Sequence, residues 1–254
     1  MPVITAAIIA QDEADHIVDC VRSLAWADEV LVVDGGSVDN TVALAESAGA
    51  RVLTRPFDTF ARQRNFAIAR TTTDWVFFVD ADERVEPPLG QEIIEAIGRW
   101  DAASGFWVPR RNLMLGQWVQ YGGWWPDEQL RLFRRNDAYY DEQQDPHEVL
   151  VIDGAVGHLT ESILHYNYDS IAEIFARQRW YAQRETASLL EQGVRGKRRS
   201  LISQPAREFY RRYIELSGYR DGRIGLLLAT AMAWYRFQVS LMLLNGDAGT
   251  DSVE

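Results

Sequence analysis

Asp80 and Asp82 stand two positions apart at the end of the stretch WVFFVDADER, Trp75–Arg84. Carboxylates so spaced at a strand end can reach one hard cation, and Mg²⁺ or Mn²⁺ prefers such oxygen ligands with positions open for phosphate oxygens. The same spacing also reads as an acidic loop that keeps the strand end in water. His165 ends the apolar part of SILHYNY and is either a packed histidine or a third ligand, since imidazole also binds borderline cations. Asp34 closes EVLVVD just before Gly35-Gly36-Ser37, where it can accept hydrogen bonds from a base or ribose, or organise the helix that follows. DGGS lacks the third glycine of a dinucleotide fingerprint and the first strand has no glycine loop, which argues against a Rossmann site.

These residues need a frame that brings strand ends together. Val3–Ala10, Glu29–Asp34, Ala50–Thr54 and Trp75–Val79 are short apolar runs of the kind buried on both faces of a parallel sheet. Helical spacing lies between them: Ile17, Val21 and Leu24, then Asp39–Ala48 with Ser37 or Asp39 as cap, then Phe57–Arg70. A further helix through Leu89, Ile93, Ile97 and Trp100 is expected after a stop at Pro87-Pro88. Strand–helix alternation over the first hundred residues predicts an α/β fold with a mostly parallel central sheet, and active groups belong at the C-terminal strand ends.

From Gly105 the texture changes to strands around an aromatic loop. Four of the nine tryptophans fall between Trp107 and Trp125, and such rings beside glycines suit stacking on pyranose faces, although Trp107 reads better as core. Asp127, in GGWWPDEQ, is a candidate base beside that loop. After a Ser170-x-x-Glu173 capping box the chain reads as helical, with Pro205–Leu216 and then Ile224–Leu244 beyond the break at Asp221-Gly222. The apolar run before Arg236 is too short to span a bilayer but can lie on one or pack on the domain, and no clean transmembrane length is expected. The predicted division is 1–169 catalytic (1–104 for the nucleotide sugar, 105–169 for the acceptor), 170–246 a helical extension and 247–254 a polar tail.

With 254 residues the chain can bury a large core. Its one cysteine, Cys20, excludes an intrachain disulfide and suits a reducing compartment. No signal peptide is expected in MPVITAAIIAQDEADHI, which has no basic start. The net charge of −11 argues against a nucleic-acid partner. Yet Arg195–Arg220 holds eight basic residues against two acids. That reads either as a solvated helix face or as a site for one anionic partner, a phosphorylated glycan or a lipid surface.

Taken as a set, AIIAQDEADHI, VLVVDGGSVDNT, FARQRNFAIARTTTDWVFFVDADER, QLRLFRR, PHEV and ILHYNYDS resemble the inverting family 2 glycosyltransferases of the GT-A fold. They are most similar to bacterial enzymes that add a hexose to the lipopolysaccharide core, often described as β-1,4-glucosyltransferases. The likeness covers most of residues 3–170. It implies a UDP-hexose donor, Mg²⁺ or Mn²⁺, and an anionic or lipid-linked saccharide acceptor, in a bacterial cytoplasm at the inner face of the inner membrane. Asp34 would then contact uracil with Asp12 or Glu13 nearby, and Arg64 would hold the nucleotide or diphosphate. Asp82 would ligate the cation, Asp80 would meet ribose or a metal-bound water, and His165 matches the family's late histidine near the metal. Glu148 falls where relatives carry the base, although His147-Glu148 differs from their Glu-Asp pair in order and type. Gln11-Asp12-Glu13 replaces the usual Asn-Glu.

A nucleotidyltransferase acting on sugar phosphates is the rival enzyme, but it wants a glycine- and lysine/arginine-rich phosphate loop where Ala10-Gln11-Asp12-Glu13 is acidic. A transferase building a lipid-linked glycan is the nearer alternative. A non-catalytic sugar-binding module would use the tryptophans and leave Asp34, Arg64, Asp80 and Asp82 idle.

Overall fold

A computed structural model describes residues 2–99, 103–143 and 149–247. The chain divides into two compact units, Met1–Arg111 with Asp127–His165, and Asn112–Pro126 with Tyr166–Glu254.

The first unit opens with β1 Ile4–Ala10, α1 Ile17–Ser23, β2 Glu29–Asp34, α2 Thr41–Ser47, β3 Arg51–Thr54, α3 Phe60–Arg70, β4 Trp75–Asp80, β5 Glu83–Arg84 and α4 Pro87–Gly98. The strands that follow are β6 Gly105–Met114, β7 Gln117–Trp118, β8 Asp127–Arg134, β9 Ala138–Tyr140, β10 Leu150–Ile152, β11 Val156–His158 and β12 Ile163–Tyr168. The main sheet runs β3-β2-β1-β4-β8-β6-β12-β5. β3, β2, β1 and β4 are parallel, whereas β8 lies antiparallel to β4 and to β6, so the sheet is mixed beyond the four strands that sequence alternation predicts. The fold is α/β with helices flanking this sheet and a helical C-terminal extension, the GT-A architecture.

β1 and β4 are buried on both faces, and residue parity sorts their side chains into two cores. Ile4, Ile8, Phe77 and Val79 pack with Ile17 of α1, Leu24 just after it, and Leu89 and Ile93 of α4. Ala7, Val76 and Phe78 face the other way, toward Ala61 and Ala67 of α3 and toward Phe133 and Tyr140. Each buried phenylalanine contributes about 1.5–3 kcal/mol. The two consecutive alanines of β1 admit helices closely on either side, and a Cβ at Gly90 of α4 would sit 2.9 Å from the Trp26 ring.

The starts of α3 and α4 differ from the sequence reading. α3 begins at Phe60 because Thr59 accepts a hydrogen bond from the Arg62 amide, leaving Phe57 outside as a ring partner 4.9 Å from Phe60. Pro87 and Pro88 form the first turn of α4, where a proline's missing donor has no intrahelical partner to lose.

In the second unit, α5 Ile171–Glu191 is followed by α6 Ser200–Tyr210, a π-turn Arg211–Glu215, a 3₁₀ turn Gly218–Asp221 and α7 Gly222–Asn245. Half of the expected capping box forms: Ser170, the N-cap, accepts from the Glu173 amide, while the Glu173 carboxylate accepts from the Asp169 amide, one residue before the cap. α6 starts five residues before Pro205, in place of at it; the proline removes only one second-turn hydrogen bond. Met114, Val119, Tyr168, Ile174, Ile224 and Leu228 form the core. A Cβ at Gly225 would strike the Gly218 carbonyl, so this crossing requires glycine. The helical span Gly218–Asn245, 28 residues, is long and apolar enough to cross a membrane, contrary to the expected absence of such a length. The helix runs unbroken through Arg236, whose charge is matched by Glu185 of α5 at 2.8 Å, and it packs against α5 and α6.

The aromatic loop is clamped rather than splayed. Asp221 accepts from the Gln120 and Tyr121 amides at 3.2 and 2.8 Å, Arg220 lies over the Tyr121 ring, and Arg212 lies over Trp124. Trp118 and Trp125 meet edge to face.

Candidate active site

The parallel register lines up the chemistry. Ala10 pairs with Asp34 and Ile9 with Asp80, so β1, β2 and β4 all end on one edge with an acid at or just past each end. Beyond β1, Asp12 takes the left-handed conformation, φ 55°, which a short polar side chain tolerates best. Its carboxylate accepts from the Val38 amide at 2.8 Å, and its own amide donates to Ser37 Oγ at 2.9 Å. Asp34 is buried and accepts from the Gly36 and Ser37 amides and from Ser37 Oγ at 2.5 Å. Gly36 sits at φ 106°, open to glycine alone among common residues. Asp12 and Asp34 thus share Ser37 and knit two loops into one floor. The Glu13 amide joins through Thr41 Oγ1 at 2.8 Å, and Asp39, one of the two expected caps, accepts from the Thr41 amide.

At the end of β4 the two carboxylates of D-A-D diverge. Asp80 accepts from Arg131 at 2.5 and 3.2 Å and from Arg64 at 3.2 Å. Arg64, on α3, is buried with its guanidinium 5.0 Å above the Phe78 ring and 5.5 Å from Tyr140. Burial pushes the Asp80 carboxyl up, but Arg131 and Arg64 outweigh it and hold it far below the usual range. Asp82 turns away and meets His165 Nε2 at 3.2 Å. The pairing of His165 with Glu83 on β12 and β5 sets that approach, and Arg84 steadies the turn by donating to the Ala81 carbonyl at 2.8 Å. Cys20 is buried beneath, its thiol facing the Asp80 carbonyl and pushed well up by burial, hence inert.

Three groups beside these were not picked out as site residues from sequence. Glu83 is fully buried, accepts from the Asp80 amide at 2.9 Å, and lies 3.3 Å from Arg110 and 3.5 Å from Arg131. Burial, with Asp80 beside it, pushes its carboxyl up against the pull of the arginines. Arg110 reaches on to Asp127 at 2.8 Å, and Gln129 donates to the same carboxylate at 2.7 Å. A line of alternating charge therefore runs Arg64, Asp80, Arg131, Glu83, Arg110, Asp127. Register places Arg131: with Phe77 opposite Leu132, alternation puts Arg131 on the face of Phe78 and Asp80.

Of the residues expected at the site, the structure thus joins Asp12 with Asp34, Arg64 with Asp80, Asp82 with His165, and Asp127 to Asp80 through three intervening side chains. Glu148 and His147 lie outside the described residues. Among the described residues no cluster of three or more His, Cys, Asp or Glu side chains forms a ready metal cage. At this sheet edge the carboxylate of Asp82 and the imidazole of His165 are spaced to share a cation. That donor set fits a divalent ion whose other ligands come from phosphate and water.

Residues 5–165 match the family Glycosyl transferase family 2. The chain belongs to that family. A lipopolysaccharide core biosynthesis glycosyltransferase, LpsC, of Rhizobium meliloti is 32% identical over 245 residues, covering 92% of this chain and 89% of that protein. An uncharacterized glycosyltransferase of Rickettsia felis is 26% identical over 93% of this chain and 88% of its own length. Among solved structures, glucosyl-3-phosphoglycerate synthase from Mycobacterium tuberculosis, in complex with Mn²⁺, uridine-diphosphate and phosphoglyceric acid, aligns at 18% identity. Its TM-score is 0.47, covering 65% of this chain and 71% of that one.

Proposed function

We propose that the protein is an inverting glycosyltransferase that moves a hexose, glucose in the first instance, from a UDP-sugar to a saccharide of the lipopolysaccharide core or a related bacterial surface glycan. The observation that carries this reading is the convergence of Asp34, Asp80 and Asp82 on one sheet edge, with Arg64 and His165 already engaged there. Family membership and the likeness to the R. meliloti core enzyme supply the substrate class.

In this reading Asp34 and the Asp12 loop form the floor for uracil and ribose, and Arg64 is shared between Asp80 and the donor's diphosphate. Asp82 and His165 would hold Mg²⁺ or Mn²⁺, which when bound offsets negative charge on the leaving diphosphate. Asp80, kept ionised by its arginines, orients Arg64 and presents an acceptor oxygen to a ribose hydroxyl or a bound water. A carboxylate takes the proton of the attacking acceptor hydroxyl as the anomeric bond to UDP breaks, and a single displacement turns an α-linked donor into a β-glycoside. Glu148 is the base we favour. Asp127 is bound to Arg110 and Gln129, the arrangement of a positioning group. Residues 1–104 would handle the donor and 105–169 the acceptor.

Incubation with a panel of UDP-hexoses and purified core oligosaccharide, read by product mass, tests this. One hexose added, dependent on Mg²⁺ or Mn²⁺, is the expected result. No transfer or donor breakdown with any UDP-sugar would remove the reading.

A further inference from the structure

The basic stretch Arg195–Arg220 is only partly consumed by the fold. Arg211 and Arg212 pair with Glu208 at 2.8 and 2.7 Å, and Arg212 and Arg220 cover Trp124 and Tyr121. That leaves Arg195, Lys197, Arg198, Arg199 and Arg207, none of which has an acidic partner within ion-pair distance among the described residues.

Four of those five line one cavity. Arg195, Lys197, Arg199 and Arg207 surround a space of about 690 Å³ framed by α5, the 192–199 linker, α6 and α7. Arg236 and Glu185 also line it and offset each other as an ion pair at 2.8 Å, Glu185 being contacted by the Tyr235 hydroxyl as well. The same lining includes apolar side chains: Leu189 of α5, Val194 of the linker, and Val239 and Leu243 of α7. The linker is seated and not loose. The Gly196 amide donates to the Leu243 carbonyl at 3.2 Å, and a Cβ on Gly196 would strike the backbone of Leu244, so Arg195 and Lys197 flank a fixed point. Ser200 and Ser203 add hydroxyls to the lining.

A cavity lined by both cationic and apolar side chains matches an amphiphile with an anionic head. Ile202, on the α6 turn between Ser200 and Ser203, is 79% exposed, and much of the apolar span Gly218–Asn245 is unburied. We propose that this cavity seats the phosphate head of an anionic phospholipid, with the first acyl carbons on Leu189, Val239 and Leu243, and so fixes the helical unit on a membrane surface. A free phosphate would leave the apolar side chains without a partner.

The test is isothermal titration of the full chain, without donor sugar, using dioctanoyl phosphatidylglycerol below its micelle concentration. Parallel arms use dioctanoyl phosphatidylcholine and inorganic pyrophosphate. Saturable binding of one phosphatidylglycerol per chain is expected, with little from the other two. Each lining charge removed should weaken it by about fivefold, so Arg195→Gln with Lys197→Gln loses on the order of 25-fold. Arg198→Gln removes a charge from the same segment but not from the cavity, and should change affinity less than twofold. Arg207→Gln, on a different element, gives an independent reading should the double variant fold poorly. Equal losses in Arg198→Gln and Arg207→Gln would mean diffuse surface charge and overturn the site. Pyrophosphate binding as tight as the lipid's, or no saturable lipid binding, would overturn it equally. None of these readouts depends on sugar transfer.

Discussion

Asp80 and Asp82 share a motif but not an environment. Asp80 is held by two arginines that keep its carboxyl low, whereas among the described residues Asp82 meets His165 alone. Loss of Asp82 should therefore cost function and spare the fold. Asp82→Ala is expected to abolish transfer and the Mn²⁺ dependence of UDP binding, with a melting temperature within about 2 °C of the parent because a partly exposed pair adds under 1 kcal/mol. A variant that still turns over with unchanged metal dependence would reassign the cation. The base is tested by comparing two substitutions. Glu148→Gln keeps size but cannot accept the proton, so the transfer rate should fall by roughly 10²–10⁴-fold with UDP-sugar affinity nearly unchanged. Asp127→Asn should instead loosen Arg110 and lower the rate by a smaller factor. The reverse ranking in single-turnover rates would make Asp127 the base.

At the scale of elements, the parallel half of the molecule was legible because strands buried on both faces read as unbroken apolar runs, and the acids that end them stand out against those runs. What did not read was contributed from far along the chain. Arg131 and Arg110 reach Asp80 and Glu83 from β8 and β6, and QLRLFRR does not say which of its arginines faces inward until a neighbour's register is known. Helix starts were displaced for a local reason, since a threonine cap at Thr59 and prolines tolerated at α4's first turn both shift boundaries without altering the apolar pattern. In sequence the basic segment reads as one patch, yet Glu208 takes Arg211 and Arg212 out of it. Burial raises the Glu208 carboxyl, but its hydrogen bonds to Arg211 and Arg212 outweigh that and hold it below its ordinary value of 4.5. A depressed carboxyl stabilises the fold fully above its unfolded value, and that contribution is lost as pH falls through the folded value. Glu208→Gln should thus cost about 1–3 kcal/mol near pH 7. The gap in melting temperature between parent and variant should be full above pH 4.5 and narrow as the pH falls below it. A gap that stays unchanged on acidification until both unfold would show that the ion pairs contribute nothing.

For the whole molecule, the distribution of charge matters more than its sum. A chain of net −11 should be repelled by an anionic surface, but Arg195–Arg220 gathers an excess of six positive charges into one segment of it. Screening reaches only about 8 Å at physiological salt, so a surface meeting that segment feels the local charge and not the total. The segment adjoins α7, whose apolar length is only partly taken up by packing on α5 and α6. Electrostatic attraction and apolar contact then act on the same part of the chain, each near-surface cation adding on the order of 1 kcal/mol. Co-sedimentation with vesicles containing phosphatidylglycerol should be strong in low salt and fall several-fold by about 0.5 M salt, where the screening length shrinks to roughly 4 Å. Phosphatidylcholine vesicles should bring down little at any salt. Little sedimentation with either at any salt would place the apolar length of α7 within the protein's own packing, and equally strong sedimentation with both would make apolar contact, not the basic segment, what holds the chain to lipid.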